Sequence, residues 1–448
     1  MHRYWLRSWF NDFWQKKFRH FFGLLLYLLS ICAHSIRADR LALSWCMKAL
    51  RYSFISGAAS LLKDILNKNF HLLDAAVSDG VTLKEAADRT IVLKWPDVQH
   101  GEVVCKGMLL IKFTKTFSYA LRNLDIERLS SYFYVVLEPS WSGYADPDIL
   151  AWIGKSKDIV IQSSEVQDRA LMNCFPETFR AVSFGSGSWV PDYDFAPLVG
   201  DKEFDSIYIA NTNPIKRVGR YIDAIKKIVL AGHVNYKGCL VCASWGESAH
   251  LIQLLVKNAG IEKNLILKFS LSKEDVILFL NKSKCNLLLS LKEGSNRSLF
   301  EAMMCNVPVI SLVENIGVNK EYIGEQSGLL IPDEMLESSM LWLSKNYQSF
   351  SPRIWALENI SYKKSMDRLL DILYRESVSD SLKVYKKVNA PEAFYENTHT
   401  NFPDLMKSLL MLFALAGERL DEYDLRAQLV VLENNLDEGI NKLVSGHG

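Results

Sequence analysis

From about residue 88 onward, short apolar runs alternate with amphipathic stretches, and this alternation predicts an α/β architecture built on parallel sheets. Residues 89–94, 104–112, 132–137 and 158–162 read as strands of one sheet. Most are continuously apolar, as strands covered on both faces are. A break follows at Gly185, Ser186, Gly187 and Ser188 and at Pro191 and Pro197, and it reads as a linker. A second series comes next, with strands at 206–210, 239–243, 265–269, 286–290 and 308–312 and helical segments such as 219–230 and 298–305 between them. Two sheets joined by a linker leave a cleft between domains. The carboxyl ends of parallel strands are where ligands of such sheets bind.

The N-terminal segment follows a different pattern. Trp5, Trp9, Phe10, Phe13, Trp14, Phe18, Phe21 and Phe22 recur at helical spacing, with Arg3, Arg7, Lys16, Lys17 and Arg19 between them. Such a helix suits a membrane interface, where rings sit at headgroup depth and cations meet anionic lipid. It runs into the apolar stretch 21–33, which has 13 residues, against the roughly 20 needed to cross a bilayer. Ile31-Cys32-Ala33 is a poor cleavage site for a signal peptide, and Arg37, Arg40, Lys48 and Arg51 follow the run, so charge does not set an orientation. The expectation is peripheral attachment through residues 1–33 to the cytoplasmic face of a membrane, with the cleft lying wholly beyond them. The alternative is an aromatic face packed on the protein's own core. The tail from 391 to 448 is helical in pattern, with ten acidic against four basic residues, and reads as a solvated appendage.

Composition narrows the function classes. With 448 residues, 49% of them hydrophobic, the chain is large enough for two domains with cores of their own. Its 52 basic and 51 acidic residues give no field that would hold nucleic acid. The eight cysteines show no scaffold spacing. Cys239 and Cys242 form a CxxC inside a strand-like run, with no second pair to complete a zinc set, and read as core residues.

The informative stretch is 290–311. A strand ends at Ser290, a turn holds Gly294, and a helix starts near Ser295 or Asn296, a capping-type residue. The free amides and positive dipole end of that helix suit a phosphate. Glu293 stands before the helix and Glu301 two turns into it, each able to accept hydrogen bonds from sugar hydroxyls. Taken alone, this pair could equally be a loop charge and an exposed helix residue.

The whole stretch resembles the donor-site signature of the retaining family 4 glycosyltransferases. Ser290, Glu293, Gly294, Glu301, Ala302, Met303, Pro308, Val309 and Ile310 match in order and spacing, followed by Gly317, Glu321 and Gly328-Leu329-Leu330. Upstream, 213–225 looks like the segment whose lysine contacts the donor diphosphate. Downstream, 353–355 and 359–365 resemble the closing helix that returns to the first domain. The resemblance covers about 205–372. It implies a GT-B fold: two Rossmann-like domains facing across a cleft, here with an N-terminal amphipathic helix over 1–40, an acceptor domain over 41–197, a nucleotide-sugar domain over 198–374 and a helical extension over 375–448. It further implies that Glu301 holds the ribose hydroxyls, Glu293 the transferred sugar, and Lys216 the leaving diphosphate, assisted by the amides of Gly294, Ser295 and Asn296. The family often places an arginine about six residues before the lysine; position 210 is Ala. Arg217 or Arg297 is then expected to supply the missing charge.

The first domain is less explicit. The histidine common in the family has no clear counterpart, since His71 and His100 are poorly placed. Residues 137–144 put Glu138, Trp141 and Tyr144 at a strand's carboxyl end, where they would bind an acceptor sugar or form a structural turn. Ser163 and Ser164 carry the same two readings. The function expected from the resemblance is transfer of a sugar from a nucleotide-sugar donor to a hydroxyl of a glycan or lipid-linked acceptor, with no cofactor and no metal site; no Asp-x-Asp motif stands at the end of an expected strand. A phosphorylase or epimerase on the same fold, or a sugar-nucleotide-binding scaffold without activity, are the competing readings.

Overall fold

The computed structural model describes residues 2–374 apart from 75, 79, 83–84, 87–88, 95, 100–101 and 244–247. The extension expected over 375–448, and His100, lie outside the described residues. The chain begins with one long helical stretch: α1 (His2–Phe13), a π-helical turn (Trp14–Phe18) and α2 (Arg19–Ser35), followed by α3 (Asp39–Tyr52), α4 (Ser56–Asn69) and the short α5 (His71–Asp74). Tyr4, Ser8, Arg19, Gly23, Leu26, Ser30 and Ala33 are buried, and most of them lie three or four residues from the next, as one face of a helix requires. The opposite face exposes Trp9, Phe10, Phe21, Leu24 and Leu28. One face of the helical stretch is thus packed on the protein, and most of the bulky rings lie on the other. The helix from Leu6 to Ser35 has 30 residues and is long and apolar enough to cross a membrane, because the aromatic lead joins the 13-residue apolar run without interruption.

The first sheet contains β1 (Thr90–Lys94), β4 (Gly107–Lys112), β5 (Phe133–Glu138), β6 (Ile159–Gln162) and β7 (Phe179–Val182), in that spatial order. The stretch 104–112, expected as one strand, is divided: β2 (Asp97–Gln99) and β3 (Glu102–Cys105) form a separate hairpin. β1 runs antiparallel to β4, and β4 to β7 are parallel in sequence order. Right-handed crossovers between successive strands all place their helices on one face. These are α6 (Thr114–Asn123), α7 (Ile126–Tyr132), α8 (Pro147–Leu150) and α9 (Val166–Met172). Leu109, Ile111, Val135 and Leu137 pack there with α3 and α4. The alternate residues Met108, Leu110, Val136 and Val160 point the other way and need a separate cover. It comes from α16 (Tyr362–Leu373), whose Met366, Leu369, Leu370 and Leu373 share their cluster.

The second sheet has the order β10-β9-β8-β11-β12-β13, all parallel. Its members are β8 (Ser206–Ala210), β9 (Gly238–Cys242), β10 (Leu265–Phe269), β11 (Asn286–Leu288), β12 (Val309–Leu312) and β13 (Gly328–Ile331). The intervening helices α10 (Val218–Leu230), α11 (Ala249–Ala259), α12 (Lys273–Asn281) and α13 (Arg297–Met304), then α14 (Leu336–Asn346) and α15 (Pro352–Asn359), cover both faces. Counted from β8, the strand order is 3-2-1-4-5-6, so the connections diverge between β8 and β11. Cys239 and Cys242 are buried in β9, and burial pushes both thiols up to about 12. The chain thus forms two α/β domains of mainly parallel strands, the GT-B architecture.

A candidate donor site at the switch point of the second sheet

The divergence between β8 and β11 decides which loops meet. After β8 the chain makes a tight turn over Pro214–Lys216, capped by the Asn213 side chain, which accepts from the Ile215 N–H at 3.1 Å. After β11 it runs through Ser290 to Gly294 and enters α13, capped by Asn296, which accepts from the Leu299 N–H at 3.0 Å. The expected helix start is thus the observed one. Lys216 Nζ donates to both Glu293 carboxylate oxygens at 2.6 and 2.7 Å, and Ser290 Oγ donates to Oε1 at 2.6 Å. Glu293 and Ser290 are buried.

Glu301 is buried on α13, where it accepts from Arg297 Nε at 3.0 Å. Burial raises its pKa, against the Arg297 charge. The Arg297 guanidinium thus holds the carboxylate expected to meet the ribose. Ser295 bonds with the linker, its Oγ accepting from the Gly187 N–H at 2.9 Å.

Arg217 does not face the anion site. It sits in the left-handed region at φ 55 and is buried. Its guanidinium donates to both Asp12 oxygens at 2.8 Å, to Asp333 at 2.6 Å and to the Leu289 carbonyl at 3.0 Å. The expected phosphate role is therefore corrected to an anchoring one: the charge is consumed by two carboxylates. Lys16 also bonds to Asp333, and the Gly219 N–H donates to the Tyr4 hydroxyl at 3.0 Å. α1 and the π-helical turn are thus bound to the loop that carries Lys216. The cleft is not independent of residues 1–33, contrary to the sequence expectation.

The first domain reaches the site through its 139–144 loop. Trp141 places its ring 5.5 Å from Lys216 Nζ, in cation–π range. A side chain at Gly294 would put its Cβ 2.0 Å from the Ser140 carbonyl, and one at Gly317 would put it 1.9 Å from the Glu293 carbonyl. Neither position accommodates any other residue without displacement. Tyr144 points elsewhere: its hydroxyl donates to the Gln162 carbonyl at 2.6 Å inside the first domain, which corrects its expected acceptor contact. Ser163 is likewise internal, donating to the Glu165 carbonyl at 3.1 Å. Glu138 ends β5, buried, 3.8 Å from Lys112 at the end of β4. Burial raises the pKa of Glu138 and lowers that of Lys112 to about 7, with Arg297 close enough to act on both.

Several contributors escaped the sequence reading. Glu165 accepts from the Gly317 N–H at 2.7 Å across the cleft. Asp168 accepts from the Gly143 and Tyr144 N–H groups at 2.8 Å and so fixes the loop bearing Trp141. Lys112, Asp12 and Asp333 complete the set. Only the position of Lys112 at a strand's carboxyl end was a usable signal.

Residues 191–349 match the family model of glycosyl transferases group 1. The matched segment, 159 of the chain's 448 residues, contains Lys216, Glu293 and Glu301, and so the whole candidate donor site except the loop contributed by the first domain. No curated protein matches the chain. Among solved structures, a variant of S. aureus TarM in complex with fondaparinux, alpha-GlcNAc-glycerol and UDP is 16% identical, covering 54% of this chain and 51% of that one at a TM-score of 0.45. The pneumococcal O-GlcNAc transferase GtfA in complex with UDP and GlcNAc is 16% identical, covering 59% and 54% at 0.43. Sucrose-phosphate synthase from Thermosynechococcus elongatus is 14% identical, covering 60% and 74% at 0.46. The chain thus spans about half the length of the first two.

Proposed function

We propose that the chain transfers a sugar from a nucleotide-sugar donor to an acceptor hydroxyl, with retention and without a metal. The observation that supports this best is the meeting of Lys216 and Glu293 at the switch point within the segment that matches glycosyl transferases group 1. In this reading the donor nucleotide lies along α13 with its ribose hydroxyls on Glu301, and the diphosphate faces Lys216 and the amides beyond Gly294. The sugar lies against Glu293. The bond between the anomeric carbon and the phosphate oxygen breaks, the acceptor oxygen bonds to that carbon on the same face, and the acceptor proton passes to the leaving phosphate. Lys216 must leave Glu293 for the phosphate as charge develops there, an interaction made in the transition state. Glu138 and Trp141 would receive the acceptor from the first domain.

In this reading the helical stretch 2–35 attaches the chain to the cytoplasmic face of a membrane. Its exposed rings would enter the interface while its buried face stays docked on the protein. The acceptor is accordingly a lipid-linked or other glycan of cell-envelope synthesis.

A thermal-shift screen of nucleotide sugars identifies the donor. Glu301→Ala should then weaken binding of that donor by about 1.5–3 kcal/mol, the value of hydrogen bonds to a charged group. Unchanged affinity with an intact fold would remove Glu301 from the site.

A further inference from the structure

A groove of about 540 Å³ lies on the first domain, away from the donor site, between α3, α5 and the start of α8. That size is typical of ligand sites. Its floor is apolar, formed by Leu43, Met47 and Leu72, and its wall carries Arg40, Lys48 and Arg51. Among the described residues no carboxylate lines it. Arg51 is partly neutralised, pairing with Asp146 and donating to the Ala145 carbonyl at 2.8 Å. Arg40 and Lys48 have no carboxylate partner among the described residues. An apolar floor beneath exposed cations fits an amphiphile with an anionic head.

The surroundings identify the source of such a molecule. Leu41 lines the groove and is 44% exposed, and Ile36, in the adjoining turn, is 76% exposed. They follow, along the chain, the exposed apolar residues Phe21, Leu24, Leu28 and Ile31 of α2. The groove thus begins within one short turn of the end of the helix that would meet a bilayer. We propose that this groove binds one phosphate-bearing membrane lipid, with its acyl chain over Leu43, Met47 and Leu72 and its phosphate on Arg40 and Lys48. This site does not depend on the transfer reaction.

The probe is dioctanoyl phosphatidic acid below its critical micelle concentration, titrated into the full chain by calorimetry. Dioctanoyl phosphatidylcholine and inorganic phosphate serve as comparisons. Saturable binding at one site is expected for phosphatidic acid, weaker for phosphatidylcholine and weaker still for inorganic phosphate. The double variant Arg40→Glu with Lys48→Glu changes only exposed side chains and should lower phosphatidic acid affinity about tenfold or more. Met47→Trp, which fills the floor, should abolish binding while the melting profile stays intact. Wild-type affinity in both variants would place the lipid on the α2 face and overturn the proposal. So would non-saturable uptake, or inorganic phosphate binding as tightly as the lipid.

Discussion

Asp12 stands on the N-terminal helix, 205 residues from Arg217 in sequence, yet it accepts two hydrogen bonds at 2.8 Å from that guanidinium. Asp12→Ala should therefore act on the donor site. Arg217 is only 1% exposed, while the Asp12 side chain is 27% exposed. Removing one partner of a fully buried ion pair costs about 3–5 kcal/mol. Here Asp333 at 2.6 Å and the Leu289 carbonyl at 3.0 Å remain on Arg217, and Asp12 is partly solvated, so the loss falls to about 2 kcal/mol, in the range for hydrogen bonds to a charged group. The left-handed backbone at Arg217, φ 55, stores about 1–2 kcal/mol of strain that these bonds hold in place. When they weaken, the neighbouring Lys216 loses its fixed aim. A displacement of about 1 Å at a reacting centre costs on the order of a hundredfold in rate, and a partial shift should cost about tenfold. Steady-state transfer to a soluble acceptor analogue, measured beside thermal unfolding, is the assay. A turnover number down about tenfold, little change in donor affinity, a lower melting temperature and recovery in Asp12→Glu are expected. A variant with wild-type turnover and stability would refute the coupling, and deletion of residues 1–33 would then spare transfer as well.

Two further outcomes follow from the site. Lys216→Ala should abolish most turnover, and Arg297→Ala should lower it substantially, in both cases mainly through kcat because the charge on the leaving group develops in the transition state; single-turnover kinetics with wild-type rates for Arg297→Ala would show that Lys216 and the backbone amides suffice. Burial pushes the Asp168 carboxyl up to about 6, with Glu165 adding to it against the Gly143 and Tyr144 N–H groups and Lys292. Its contribution to stability is then fully present below the unfolded value near 3.9 and lost as pH rises through about 6. Wild-type stability relative to Asp168→Asn should fall by on the order of 2 kcal/mol between pH 4 and 7, read from melting temperatures; a constant difference across that range would be the wrong result for a raised pKa.

The sequence by itself determined the local chemistry. Continuous apolar runs gave the parallel strands, and the capping residue Asn296 gave the start of α13, because a helix needs its first N–H groups satisfied close by in the chain. The spacing of Ser290, Glu293, Gly294 and Glu301 was legible for the same reason: one strand end, one turn and one helix carry all four. What only the tertiary structure decided depends on partners distant in sequence. Arg217 and Lys216 are adjacent cations in the sequence, but the left-handed turn at Arg217 directs one to Asp12 and Asp333 and leaves the other on Glu293. Tyr144 and Trp141 likewise share a loop, and Asp168 fixes it so that one ring goes inward and the other over Lys216. The two faces of the N-terminal helix were readable as a stripe of bulky rings, whereas its docking through Tyr4 and Asp12 was not. A helical period gives the direction of a side chain relative to its own axis and carries no information about which distant carboxylate or guanidinium it will meet.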